Sequence, residues 1–373
     1  MEFQIDSKKM LAAMNAAARA MAPKQPVAIL DNCLFSVDGK EVTVTAGDAE
    51  STLSLRLDTT SVDGAWGFCL APRPLIELLR KMGSRQLTFR KDGGALVLSH
   101  AKGKFYLPML DSDGYPRREE VKGGCAVCMD ASSLARGIER TEFAVASGNQ
   151  ATIRPILGGI LMDLRKDAVI YVATDTHMLS KFRDTSCSCA EERQVVIPLK
   201  VARTLSGILP AKGLVEVRTD GSSLTFRADG ATLTCSVTKG SYPPYDRVIP
   251  QMSASSASAD REAFLDSLRR VGVCANSSSG TVSFAFSPFG MVLESRDPDW
   301  NRSATENFDC DFDGPELTIG FSAEFIDAIC SAIPTAKVRM SFTNASRPGV
   351  FRPMEDDRDT EWTMIAMPQQ LMN

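Results

Sequence analysis

A chain of 373 residues with 44% apolar and 24% charged residues and a net charge of −4 has the make-up of a soluble globular protein of about two to three domains. No apolar run approaches the ~18 residues of a membrane span, and Ser7-Lys-Lys9 follows a strand instead of preceding an oily core, so the chain reads as a cytoplasmic protein without membrane contact. Its two histidines, His100 and His177, and the lack of any GxSxG, HExxH or phosphate-cradling glycine loop leave the common catalytic and metal chemistries poorly supplied.

In chain order, residues 2–5 alternate as a strand and lead into a helix with Met10, Leu11 and Met14 on one face. A strand-turn-strand run follows over 26–50, turning at Asp38-Gly39. Residues 67–71 open a second copy, with a helix carrying Leu75, Leu78, Leu79 and Met82 and strands at 86–90, 94–99 and 104–107. The middle of the chain repeats this: a strand at 125–129, a helix with Leu134 and Ile138, and a matching run of strands at 154–162 and 169–174 that ends in a polar turn at 175–179. A further copy has a strand at 194–198, a helix with Val201, Leu205, Ile208 and Leu209, and strands at 214–218, 223–227 and 232–237. The final third opens near 252–259 with Phe264, Leu265 and Leu268, and again at 317–321 with Phe325, Ile326, Ile329 and Ile333, followed by 336–342 and two strands ending at Met367.

Six β-α-β-β-β units in three pairs therefore give an α+β fold of three similar domains, 1–122, 123–250 and 251–373. Each unit is expected to form a sheet backed by one helix, and a single copy cannot close its core. The three prolines of 239–250 mark a linker, with Tyr115-Pro116 as the counterpart after the first domain.

Ten cysteines are scattered singly. Cys125-x-x-Cys128 is the only CxxC and flanks a strand, so buried small apolar residues are expected there and at Cys187 and Cys189. Asp175 and His177 are read as ordering a strand-to-loop turn; an acid-base or metal pair would need a third group that the sequence does not offer. No metal, cofactor or catalytic residue is expected.

Charge is unevenly spread. The first helix and its exit carry Lys8, Lys9, Arg19 and Lys24 with no acid. The second carries Arg73, Arg80, Lys81 and Arg85 against Glu77, and the fourth Lys200, Arg203 and Lys212. A basic helical layer against an acidic sheet layer suggests that one side faces a polyanion. Without aromatic platforms on those helices, backbone electrostatics on a duplex is favoured over base reading.

Residues 172–179, Val-Ala-Thr-Asp-Thr-His-Met-Leu, are similar to the V-A-T-D-G-H-R-L of the bacterial DNA polymerase III β subunits, the sliding clamps. Residues 240–250 resemble that family's G-x-[FY]-P-x-Y-x-x-[VL]-[IL]-P, and 367–371 its terminal M-P-x-x-L. The likeness runs from Met1 to Leu371. It implies a non-catalytic homodimeric ring, sheets outside and helices inside, that encircles duplex DNA without reading sequence and tethers the replicative polymerase. Helices packed ~8–10 Å apart leave a hole of about 7 Å when six form the circle and about 24 Å when twelve do, so two chains are needed to admit a duplex.

The resemblance further implies a pocket between the second and third domains for short, partly apolar peptides of the polymerase III catalytic subunit, the clamp loader and other clamp-binding-motif proteins. Its matching positions are Leu157, Thr174, Thr176, His177, Met178, Leu179, Pro243, Arg247, Val248, Ile365, Met367, Pro368, Gln369, Gln370 and Leu371. For Leu157 and Val248 interdomain core is an equal alternative. Lys24, Arg73, Arg154 and Lys200 match DNA-contacting positions, with loop solvation the alternative for Lys24. The dimer joint would pair the strand of Phe105 and Leu107 with the helix end at Val273 and Cys274; Phe105 and Leu107 could equally point into their own core. Thr176 replaces the family's usual glycine, Met178 its frequent arginine, and Gln369-Gln370 a more apolar pair. A competing reading is a β-rich protein-binding scaffold whose basic helices are incidental.

Overall fold

The computed structural model describes residues 1–371; the last two residues of the expected 251–373 domain lie outside it. The chain runs β1 (Glu2–Asp6), α1 (Ser7–Ala20), β2 (Cys33–Asp38), β3 (Val42–Gly47), β4 (Ser51–Leu57), β5 (Ser61–Asp63), β6 (Ala65–Leu70), α2 (Pro72–Arg80), β7 (Gln86–Asp92), β8 (Ala95–His100) and β9 (Gly103–Pro108). It continues as β10 (Cys125–Asp130), α3 (Ala131–Glu139), α4 (Gly148–Ile153), β11 (Gly159–Leu164), β12 (Val169–Thr174), β13 (Met178–Asp184), β14 (Arg193–Pro198), α5 (Leu199–Ile208), β15 (Leu214–Thr219), β16 (Ser223–Ala228) and β17 (Ala231–Ser236). The last part is β18 (Ser255–Asp260), α6 (Arg261–Gly272), β19 (Thr281–Ser287), β20 (Gly290–Asp297), β21 (Arg302–Phe308), β22 (Asp311–Asp313), β23 (Leu317–Ser322), α7 (Ala323–Ala332), β24 (Lys337–Phe342), β25 (Gly349–Pro353) and β26 (Thr360–Ala366).

Two compact units form: Met1–Ala135 with Lys200–Val237, and Arg136–Leu199 with Thr238–Asn373. The first holds a five-stranded sheet, β5-β1-β7-β8-β9, and an eight-stranded one, β10-β15-β16-β17-β4-β3-β2-β6. The second holds a nine-stranded sheet, β14-β11-β12-β13-β26-β25-β24-β18-β22, and a four-stranded one, β21-β20-β19-β23. All pairings are antiparallel, which suits strands joined by short turns.

These orders correct one expectation. The opening strand of a repeat does not join the three strands that follow its helix. β1 pairs with β7 of the second repeat while β6 pairs back with β2. The same exchange links β10 to β15 and β14 to β11, and again β18 to β24 and β23 to β19. The helix between an opening strand and its successors carries the chain away from the first sheet, so two repeats complete each other's sheets.

The helices start where the sequence supplies caps. The Asp6 carboxylate accepts from the backbone N–H groups of Lys8 and Lys9 at 2.8 and 3.4 Å, and Asp260 from that of Ala263 at 2.9 Å. α2 instead has prolines at its start and buries Leu75, Ile76 and Leu79. Beneath α1 and α2 the core is aromatic, with Phe3 stacked on Phe89 at 4.8 Å and Phe35 on Phe68 at 4.7 Å. Two stretches expected as continuous strands begin as 3₁₀ turns: Ala28–Asp31 precedes β2, and Pro155–Leu157 precedes β11. Proline at 155 cannot donate to a ladder, so pairing begins only at Gly159. The expectation that both cysteines of the CxxC are buried holds for Cys125 and fails for Cys128: residues three apart on a strand lie on opposite faces, so on β10 Cys125 faces the core and Cys128 faces solvent. Burial pushes the Cys33 and Cys235 thiols up to about 12, as expected of packing residues.

Candidate functional site

The polar turn between β12 and β13 is locked from inside. Asp175 accepts from the backbone N–H groups of His177 and Met178 at 2.9 and 2.7 Å, while the Thr174 hydroxyl donates to the Met178 carbonyl at 2.6 Å and accepts from the Thr176 N–H at 3.1 Å. The carboxylate that might have served a histidine is thus engaged with backbone. Thr176 sits at φ +80°, a left-handed conformation that glycine adopts without cost and a β-branched residue does not.

Pairing of β13 with β26 places Met178 opposite Ala366 and Leu179 opposite Ile365, bringing this turn beside the C-terminal tail. There the Met367 N–H donates to the His177 carbonyl at 2.7 Å. The His177 ring lies nearly parallel to Phe325 of α7, centroids 5.6 Å apart. The tail then docks on β23: the Gln369 N–H donates to the Gly320 carbonyl at 2.8 Å, its side-chain oxygen accepts from the Thr281 hydroxyl at 2.5 Å, and its side-chain amide donates to the Ser279 carbonyl at 3.2 Å. Gly320 must be bare, since a Cβ there would come within 2.7 Å of the Gln369 backbone carbonyl oxygen.

The expected pocket residues fall into three layers. Leu157, Leu179 and Ile365 belong to a buried cluster with Val172, Tyr242 and Val350, and Thr174 and Met178 are also buried, so these five are packed inside the unit beneath the exposed members. Thr176, His177, Pro243, Arg247, Val248, Met367 and Gln370 are exposed and can meet a ligand. Pro368, Gln369 and Leu371 are half-buried, with Gln369 spent on holding the tail. Phe325 was legible only as a helix apolar residue; its place one position off the buried Ile326, Ile329, Cys330 stripe is the signal that it faces outward. The sequence also did not single out Met252, Thr343, Arg347 and Pro348, which join Arg247 and Val248 around a cavity of about 280 Å³.

Among the basic residues matched to DNA contact, Lys24 and Arg154 are exposed. Arg73 is exposed and pairs with Glu77 one turn on at 3.0 Å. Lys200 is different: its ammonium bonds Asp48 and the Ala20 carbonyl, clamping the start of α5 to the exit of α1. Burial raises the cost of ionising Asp48, but the Lys200 ammonium and the N–H groups of Glu50 and Ser51 outweigh it and hold the carboxyl below its ordinary value. Phe105 and Leu107 are half-buried against the core under α1 and α2, whereas Tyr106 between them is exposed. Val273, just past α6, is 70% exposed, and Cys274 is half-buried.

Three family models cover nearly the whole chain: the DNA polymerase III beta subunit N-terminal domain over residues 1–119, its central domain over 128–244 and its C-terminal domain over 246–368. The chain belongs to the DNA polymerase III beta subunit family. Relatives include the beta sliding clamp of Pseudomonas putida, 23% identical over the full length of both chains, and that of Streptococcus pneumoniae, 24% identical over 96% of each. The fold matches the beta subunit of Thermotoga maritima with a TM-score of 0.91 and the Pseudomonas aeruginosa sliding clamp bound to griselimycin with 0.92, each at 23% identity over 100% of both chains. As in other polymerase III beta subunits, several sheets dominate and helices are few. No helix among the described residues is long and apolar enough to cross a membrane.

Proposed function

We propose that this chain is a cytoplasmic, non-catalytic sliding clamp of three consecutive domains, 1–122, 123–250 and 251–373, which closes as a head-to-tail homodimer around duplex DNA and tethers the replicative polymerase. One observation carries the ring. The third strand after the opening helix of a domain's first half pairs with the third strand after the helix of the next domain's second half: β4 with β17, and β13 with β26. Continued once more, the rule joins β21 of one chain to β9 of a second, and both strands are sheet edges within the chain. Two such joints cover four edges and close the ring. Val273, exposed just past the helix whose Arg270 pairs with Glu306 of β21, lies on the element backing that joint.

Backbone electrostatics from exposed bases such as Lys24, Arg73 and Arg154 hold DNA without reading it, while Lys200 acts mainly within the chain. Partners of the polymerase, clamp-loader and clamp-binding-motif classes dock a short apolar peptide over the floor of Leu157, Leu179 and Ile365. The test is retention on a closed DNA circle in high salt followed by linearisation. A ring stays on the circle and is lost from its cut ends; release by salt alone, whatever the DNA topology, would leave only ordinary phosphate binding.

A further inference from the structure

The cavity beside Arg247 has apolar residues Val248, Ile249, Met252 and Pro348 in its lining, together with two arginines, Arg247 and Arg347. Arg347 is outside the residues carried over from the family, and both arginines are exposed. The bases of the adjoining depression are engaged: Lys181 bonds Asp246 at 2.6 Å, Arg183 bonds Asp167 at 2.6 Å, and Arg352 bonds the Thr363 hydroxyl at 3.0 Å. Arg247 and Arg347, by contrast, have no side-chain hydrogen bond or ion pair among the described residues. A partly apolar slot lined by two arginines that have no partner within the chain suits an apolar side chain next to a carboxylate, which a guanidinium binds through charge-assisted hydrogen bonds.

We infer that Arg347, with Arg247, selects partner peptides that carry an Asp or Glu beside their apolar anchor. The inference rests on the peptide-docking reading and adds to it a specificity set by charge. It accounts for a pocket in which Met178 replaces a basic residue of the family pattern while a cation is supplied from the loop between β24 and β25 instead.

The experiment pans a randomised decapeptide library on the full chain, then measures the best binder by fluorescence anisotropy together with its Asp→Asn or Glu→Gln form. Selected peptides are expected to be enriched in one acidic position. Arg347→Gln should weaken the acidic peptide about five- to tenfold while leaving the amide peptide nearly unchanged, and Arg347→Glu should invert the preference. Equal loss for both peptides, or no acidic enrichment among peptides that do bind at the tail, overturns the charge selection alone. Failure to select any peptide whose binding depends on residues 367–371 overturns the docking reading with it.

Discussion

The Thr176 N–H donates to the Thr174 hydroxyl at 3.1 Å while Thr176 itself is held at φ +80°. Thr174 is in turn bonded to the Met178 carbonyl, so the turn is over-determined and imposes the left-handed conformation on a residue that resists it. Thr176→Gly should therefore stabilise the protein by about 1 kcal/mol, the relief of left-handed strain being partly offset by glycine's added freedom when unfolded. Its side chain is exposed, so no packing is lost. A shift of the denaturation midpoint to lower denaturant would refute this.

Gly137 in α3 presents the opposite case. Alanine normally favours a helix over glycine, yet a Cβ here would sit 2.4 Å from the fully buried Tyr171 ring. Gly137→Ala is expected to cost about 1–3 kcal/mol from overpacking. Chemical denaturation of the two proteins side by side decides the sign.

The Asp48–Lys200 clamp has a defined pH signature. Because the folded carboxyl is held below its unfolded value, its contribution is fully present above the ordinary carboxylate range, about pH 4, and is lost as pH falls below that toward the folded value. Asp48→Asn should thus be less stable than the parent by a constant amount from pH 5 to 8, with the gap shrinking below pH 4. A gap that widens in acid would contradict the pairing.

Val273→Asp separates the joint from the fold. At 70% exposure the change should leave thermal stability within about 0.5 kcal/mol. The same charge placed at a closed joint should weaken the dimer at least about tenfold, read by sedimentation velocity across a dilution series. Phe105→Arg is a poorer probe, since Phe105 packs on its own core and the variant would also unfold part of the first unit.

Deleting residues 367–373 should abolish peptide binding and leave the dimer intact, because the tail docks on β13 and on β23, the edge of the four-stranded sheet opposite β21. Gln369→Ala is expected to give a milder loss, through a loosened tail rather than a lost ligand contact. Normal peptide affinity in the truncated chain would overturn the site.

Apolar periodicity alone determined the six strand-helix repeats, since each records which face of its own segment must leave water; the capping aspartates 6 and 260 likewise act within a few residues. The motif at 172–179 located the turn between β12 and β13 for the same reason. Three-dimensional structure decided the rest. That β1 completes the sheet of β7, that Gln369 is an anchor, that Lys200 is turned to Asp48 and that Arg247 and Arg347 line one cavity all depend on groups tens to hundreds of residues apart. A local pattern fixes which side of a strand is oily but carries no term for its neighbour, and edge pairing, charge compensation and tail docking are choices of neighbour.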